Sequence, residues 1–292
     1  MNNMFYIEGE PEIVSDTRKM ILETFQDLEF YEDTHTYILN GLELLSASHI
    51  AHRFESRPFD AAVQSERYAT RYGKTPEHWQ REWKLNSFRA ASLGTKTHEF
   101  GESLAYLYAG HPEFIRPTIL PQYYKEENYL APIHTKEEAA KKFLDELPAS
   151  YHLVLNEARL YSGKNLDSEL KLDIKICGTF DMLYYYDGEG DENKAGFVLF
   201  DYKTNKKLYN DFNRQCNIYL KYPFNTLYQE AFGEYTIQLN LYALMLEDIG
   251  LKLIERSIIW LKDDGTYERI PVENYSNIIE RNLANKKFRV SD

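Results

Sequence analysis

GTFDMLYYYDGEGDENKAGFVLFDYKT, residues 178–204, reads as a β-hairpin with its charges gathered at the open end. Two runs rich in aromatic and branched residues flank a loop of Gly, Asp, Glu and Asn, the punctuation expected between paired strands. Side chains alternate faces along a strand, so Asp201 and Lys203 point the same way, as do Thr179, Asp181, Leu183 and Tyr185 on the preceding strand. A turn centred near Asp191 pairs Asp181 with Asp201, Leu183 with Leu199 and Tyr185 with Phe197. Apolar pairs then fill one stretch of the face, and the charges collect beyond it. Two carboxylates at paired positions repel; a divalent cation between them reverses that cost.

That combination suits phosphodiester hydrolysis. Mg²⁺ takes hard oxygen ligands, usually one or two carboxylates with waters and phosphate. Such a metal activates a water and neutralises charge on the scissile phosphate, while a lysine beside it orients or deprotonates that water. Asp181, Asp201 and Lys203 supply these parts.

Working outward, residues 151–161, 171–186 and 197–203 read as strands, 253–261 as a further strand, and 234–249 as a helix stopped by Gly250. A helix from about residue 95 to 109 ends at Gly110-His111-Pro112, and a short charged helix covers 136–147. Residues 111–135 are proline-rich and irregular, 205–233 form a long irregular insertion, and 271–286 a last helix. Upstream, 27–39 alternate as a short hairpin with Asp33 to His35 at its turn, and Asn40-Gly41 makes a second turn. Residues 46–92 are polar and helical, with Trp79 and Trp83 one turn apart. The division expected is an α-rich extension over 1–90 and a core over 91–292 that carries the insertion.

Composition narrows the function. The 292 residues are 43 % hydrophobic and 27 % charged, ordinary for a globular chain with a sizeable core. A net charge of −12 argues against a protein that coats nucleic acid through its overall field, so any such surface is local. Cys177 and Cys216 have no CxxC spacing, which speaks against zinc or iron–sulfur sites and for two buried free thiols. No leader and no run near the ~20 apolar residues of a membrane span is visible, so a cytoplasmic protein is expected.

GTFDML at 178–183 followed by FDYKT at 200–204 resembles motifs II and III of the RecB-like exonuclease branch of the PD-(D/E)xK nuclease superfamily. IQLNLY at 237–242 resembles that branch's QxxxY motif, and LGTKTHEF at 93–100 its upstream helix motif. The four occur in the family's order over about residues 90–250. The resemblance implies a restriction-endonuclease-like α/β core, a central mixed sheet flanked by helices, behind the N-terminal extension. It implies that Asp181, Asp201, His98 and the backbone carbonyl of Tyr202 bind Mg²⁺ or Mn²⁺, that Lys203 is the catalytic lysine, and that Gln238 and Tyr242 steady the site or the DNA strand. It further implies DNA as substrate and an exonuclease working on linear duplex or single-stranded ends in recombination, repair or phage genome processing, with a recombination or replication protein as the class of partner. A structure-specific or flap endonuclease is the alternative, and a non-catalytic DNA-binding module with the same fold a rival from another class. The insertion at 205–233 is like that of some bacteriophage-encoded members.

Several residues carry two readings. His98 is a metal ligand or a helix histidine satisfied by Glu102 at i+4. Gln238 and Tyr242 share a helix face and act on the site or make a structural hydrogen bond. Glu157 is an extra carboxylate or the partner of Arg159 or a lysine. Lys206, Lys207, Arg89 and Lys96 contact phosphates or are merely solvated; Trp79, Trp83 and Phe88 stack on bases or pack in a core.

Overall fold

The computed structural model describes residues 9–31, 34–115, 134–162 and 176–282. The turn position Asp33, most of the proline-rich stretch, residues 171–175 and residues 283–286 of the expected last helix lie outside them.

The hairpin forms as β5 (Ile176–Tyr186) and β6 (Gly196–Lys203), with Leu183 opposite Leu199 and Tyr185 opposite Phe197. Both strands are apolar on both faces because both faces are covered. Leu183, Phe197 and Leu199 join a core beneath α7 (Ala231–Asp248), together with Ile237, Leu241 and Leu244. Met182, Tyr184, Val198, Phe200 and Tyr202 join a second core with Phe100, Leu104, Ala140 and Phe143. The latter come from α4 (Pro76–Tyr108) and α5 (Thr135–Asp145). The result is an α/β layered architecture, an eight-stranded mixed sheet between helices.

Two parallel crossings set the order. β7 (Leu253–Leu261) lies parallel to β6 after the α7 crossover, and β8 (Tyr267–Pro271) returns antiparallel beside it. β4 (Tyr151–Tyr161) runs antiparallel along the whole of one β5 edge. The other edge of β5 is divided. β3 (Leu42–Ser46) pairs parallel at Ile176 and Cys177, and β6 pairs from Met182 onward. Residues Gly178 to Asp181 between them have no ladder partner on that side among the described residues, which opens the sheet where the sequence places its charges.

The N-terminal hairpin forms as expected, with β-strands on both sides of its turn. Several expectations change. β1 (Leu28–Tyr31), β2 (Thr36–Leu39) and β3 extend the main sheet, and the 90/91 boundary falls inside α4, which starts at Pro76 rather than near residue 95. A pattern of Thr75 cap and Pro76 at the first turn is a strong start signal. α1 (Glu12–Thr24) went unforeseen because its buried stripe is Val14, Arg18 and Ile21. An arginine in the middle hides the apolar period. The segment from 271 opens on strand β8, and the helix α8 covers only Ser276–Asn282 among the described residues. The insertion holds a short helix, α6 (Asp211–Gln215). Cys177 is buried and free, but Cys216 is exposed, contrary to the expectation of two buried thiols. No described helix is long and apolar enough to cross a membrane.

Candidate active site

Asp181 stands one step beyond the last rung of the β5–β6 ladder, Met182 opposite Phe200. The strands part here instead of pairing Asp181 with Asp201. The Asp181 carboxylate takes over the next rung: the Tyr202 backbone N–H donates to its Oδ2 at 2.7 Å. This satisfies an N–H that the parting would otherwise leave buried and unpaired.

His98 closes on the same carboxylate and on a second one beside it. His98, from the buried half of α4, has its Nδ1 3.3 Å from Asp181 Oδ2 and 3.6 Å from Glu157 Oε1. The register of β4 puts Glu157 opposite Asp181, between Asn156–Met182 and Ala158–Phe180. Glu157 adopts φ +47 within a strand, a left-handed conformation that a non-glycine residue rarely adopts. Such strain costs about 1–3 kcal/mol and concentrates at functional positions; here it turns the carboxylate into the site. One ligand atom from each of His98, Glu157 and Asp181 lies within 4.8 Å of the others, a set able to hold a metal ion.

Asp201 and Lys203 form the other half. Lys203 Nζ lies 2.5 Å from Asp201 Oδ2, with Asp201 buried and Lys203 half-buried. The contact is an ion pair within the site. Lys203 Nζ also donates to Gln238 Oε1 at 3.4 Å and sits 4.3 Å from the centre of the Tyr235 ring. Gln238 Nε2 in turn donates to the Tyr242 hydroxyl at 2.7 Å. Gln238 and Tyr242 therefore make a structural hydrogen bond and face the site as well. The Tyr242 ring lies where a Cβ on residue 178 would be, so only Gly178 permits the contact. Gly101 does the same for α4, letting it approach the Tyr202 ring.

Electrostatics divides the two aspartates. Burial pushes the Asp181 carboxyl up, but the His98 charge, Lys203 and the Tyr202 N–H outweigh it and hold the group below its ordinary value. Burial and the neighbouring Asp181 charge raise Asp201 to about 6, against the pull of Lys203. His98 is opposed by burial yet held well above 6.5 by Asp181 and Glu157, and Lys203 is likewise raised by Asp201 and Asp181 against its burial. Two carboxylates pushed in opposite directions at one place are the pattern of an acid/base or metal site.

The expected residues His98, Asp181, Asp201, Lys203, Gln238 and Tyr242 thus meet at one end of the sheet. Tyr202 is there too, through its N–H to Asp181 and its buried ring beside His98. Glu102 is buried one turn along α4, while the carboxylates beside His98 are Asp181 and Glu157. Lys206 and Lys207 lie just after β6. Arg89 is exposed, and Lys207 pairs with Asp211 at 3.4 Å. Trp79, Trp83 and Phe88 are far along α4 from His98. Sequence reasoning had left Glu157 open and missed Tyr235. The i, i+3, i+7 spacing of 235, 238 and 242 was the available signal for the latter.

No family model matches the chain, and no curated protein is significantly similar to it. Among solved structures, the crystal structure of SSO0001 aligns over 95 % of this chain and 85 % of its own at 11 % identity, with a TM-score of 0.30. Agreement that loose leaves the site to speak through its own geometry.

Proposed function

We infer that this chain hydrolyses phosphodiester bonds in nucleic acid with the help of a divalent cation. The observation carrying this reading is the convergence of His98, Glu157 and Asp181 donors within 4.8 Å at the open edge of β5, next to the Asp201–Lys203 pair. The donor set fits such an ion. Carboxylate oxygens dominate it, which suits Mg²⁺ or Mn²⁺, and the single imidazole favours Mn²⁺. Asp201, paired with Lys203 through Oδ2, would offer a further carboxylate oxygen. When bound, the cation lowers the pKa of a ligated water and neutralises phosphate charge.

The chain's own groups do the rest. Lys203 is held charged by two carboxylates and steadied by Gln238, so it stabilises the charge that develops on the phosphate oxygens. The Tyr242–Gln238 hydrogen bond keeps the lysine's partner in one orientation. DNA as substrate and attack at free ends, in recombination, repair or phage DNA processing, follow from the resemblance of the four motifs to RecB-like exonucleases.

The test is direct. Purified protein is incubated with end-labelled linear DNA and with covalently closed DNA, in Mg²⁺, Mn²⁺ or EDTA. Cleavage should require the cation and disappear in Lys203→Ala. Loss of linear DNA alone marks an exonuclease, and nicking of closed DNA marks an endonuclease. No cleavage of either form with either cation overturns the reading.

A further inference from the structure

Residues 57–96 carry eight Lys and Arg against four Asp and Glu, in a chain with 34 and 46. The local sign is opposite to that of the whole protein. These residues build a helical arm. α3 (Ala61–Tyr72) is capped by Asp60 and turns at Gly73, φ +71, and Lys74, φ +68, before folding against the first half of α4. The arm has its own small core. The Tyr68 ring meets Trp79 at 5.4 Å and Trp83 at 5.2 Å, and Phe59 meets Trp83 at 5.5 Å. The Trp79 indole N–H donates to Gly73 O at 3.1 Å, and Gln80 Nε2 to the buried Ser65 hydroxyl at 2.9 Å. The two tryptophans are thus used up in packing.

Both ends of the arm are fixed to the body of the protein. At its base, Gln229 Oε1 accepts from the Ser56 N–H, the Ser56 hydroxyl and the Arg57 N–H at 2.8–2.9 Å. Its Nε2 donates to Arg57 O at 2.7 Å. At the other end α4 continues without a break to His98.

One face of α4 remains without partners. Arg81, Lys84, Leu85 and Phe88 recur at i, i+3, i+4 and i+7, a single helical stripe. Leu85 is 42 % and Phe88 70 % exposed, and Arg81 and Lys84 are exposed and form no ion pair with any described residue. At about 100° per residue, His98 lies about 40° around the helix from Lys84, about 80° from Phe88 and about 100° from Arg81, so the stripe runs alongside the face that carries His98. From Phe88 to His98 the helix rises about 15 Å.

We propose that this stripe is a binding track for single-stranded nucleic acid leading to the His98–Asp181 site. The proposal rests on the hydrolase reading above for its direction. Arg81 and Lys84 take the phosphates, and the Phe88 ring stacks on an unpaired base, the pairing of contacts by which proteins grip single strands. An exposed ring beside free cations has nothing to stack on in an intact duplex, and this favours the single strand.

The experiment measures fluorescence anisotropy of labelled oligo(dT) 20-mer with the full chain in EDTA, so that binding is read without turnover. Arg81→Glu with Lys84→Glu should weaken binding at least tenfold and flatten its salt dependence by about two phosphate contacts. Phe88→Ala should weaken it roughly fivefold to a hundredfold. Circular dichroism and thermal midpoints should match the parent protein, since all three residues are exposed. Wild-type binding by both variants, or no binding by the parent protein, overturns the track. Tighter binding of a 20-base-pair duplex, lost equally in the variants, overturns the single strand. Cleavage is scored separately with Mn²⁺. A parent protein that binds through the stripe without cleaving defeats the hydrolase reading alone. One that cleaves while the charge-reversed variant binds unchanged defeats the track alone.

Discussion

The sheet edge at Asp181 and the arm of α3 and α4 hold charge in opposite ways. At the sheet edge the carboxylates, His98 and Lys203 are desolvated and press on one another, so each group's ionisation depends on its neighbours. Along the arm stripe Arg81 and Lys84 stand in water with no counter-ion among the described residues. Burial makes charge expensive, and the protein tolerates that cost only where the charges are paired or can hold an ion. Exposure makes charge cheap, and an unpaired surplus is then available to a partner. The same α4 helix serves both regimes: its second half packs under the sheet through Phe100, Leu104 and Ala105, while its first half touches mainly α3.

The sharpest way to break this contrast is to remove charge at the sheet edge. Asp181→Asn withdraws the carboxylate charge beside His98 and leaves one carbonyl oxygen to accept from the Tyr202 N–H. Cation-dependent cleavage should fall by about 10³-fold or more, equivalent to several kcal/mol of transition-state stabilisation. Rates within tenfold of the parent protein, measured under single-turnover conditions, would contradict it.

Stability comes next. Arg18 is fully buried and ties α1 to β4, with Nε donating to Val154 O at 2.8 Å and Nη2 to Leu153 O at 2.9 Å. Its guanidinium also pairs with Glu10 at 2.5 and 3.0 Å. Arg18→Met strands Glu10 and should cost about 3–5 kcal/mol in denaturant unfolding, as for other broken buried pairs. Burial pushes the Glu10 carboxyl up, but His111 and Arg18 overcome it and hold the group below 4.5. A depressed carboxyl stabilises the fold above its unfolded pKa and loses that contribution as pH falls through the folded value. The parent protein should therefore lose stability below about pH 4.5, and Arg18→Met should lose less over that window. An equal acid response in both would show that the pair does not set it.

Smaller effects test the supporting shell and the arm. Tyr242→Phe removes the acceptor of the Gln238 amide and should lower kcat about fivefold, the worth of roughly 1 kcal/mol, with KM little changed. A pure KM effect would place Tyr242 on the substrate instead. Arg67→Met, on exposed α3, should shift unfolding free energy by no more than about 0.5 kcal/mol. A loss approaching that of Arg18→Met would mean that the arm is packed and its charges are not free.

Much of the site is readable in the chain. The register of 183 with 199 and 185 with 197 follows from strand alternation and the position of the turn. The spacing of Gln238 and Tyr242 follows from the helical period. Glu157 was harder to assign. It faces Asp181 through the register of β4 against β5, a pairing between two strands that neither strand's own alternation specifies. Arg18 misled in the other direction, since a charged residue on a buried stripe conceals the helix it belongs to.

The sequence by itself determined which residues are acidic, basic or apolar, and at what period they recur. Period is a local property, so it fixed the hairpin, the helix faces and the Arg81–Phe88 stripe. Tertiary structure alone decided that β3 and β6 share one edge of β5 and leave Gly178 to Asp181 open between them. It decided too that His98 and Glu157 arrive at that opening. Contacts between segments far apart in sequence depend on how whole faces bury against each other, and no local pattern encodes that choice.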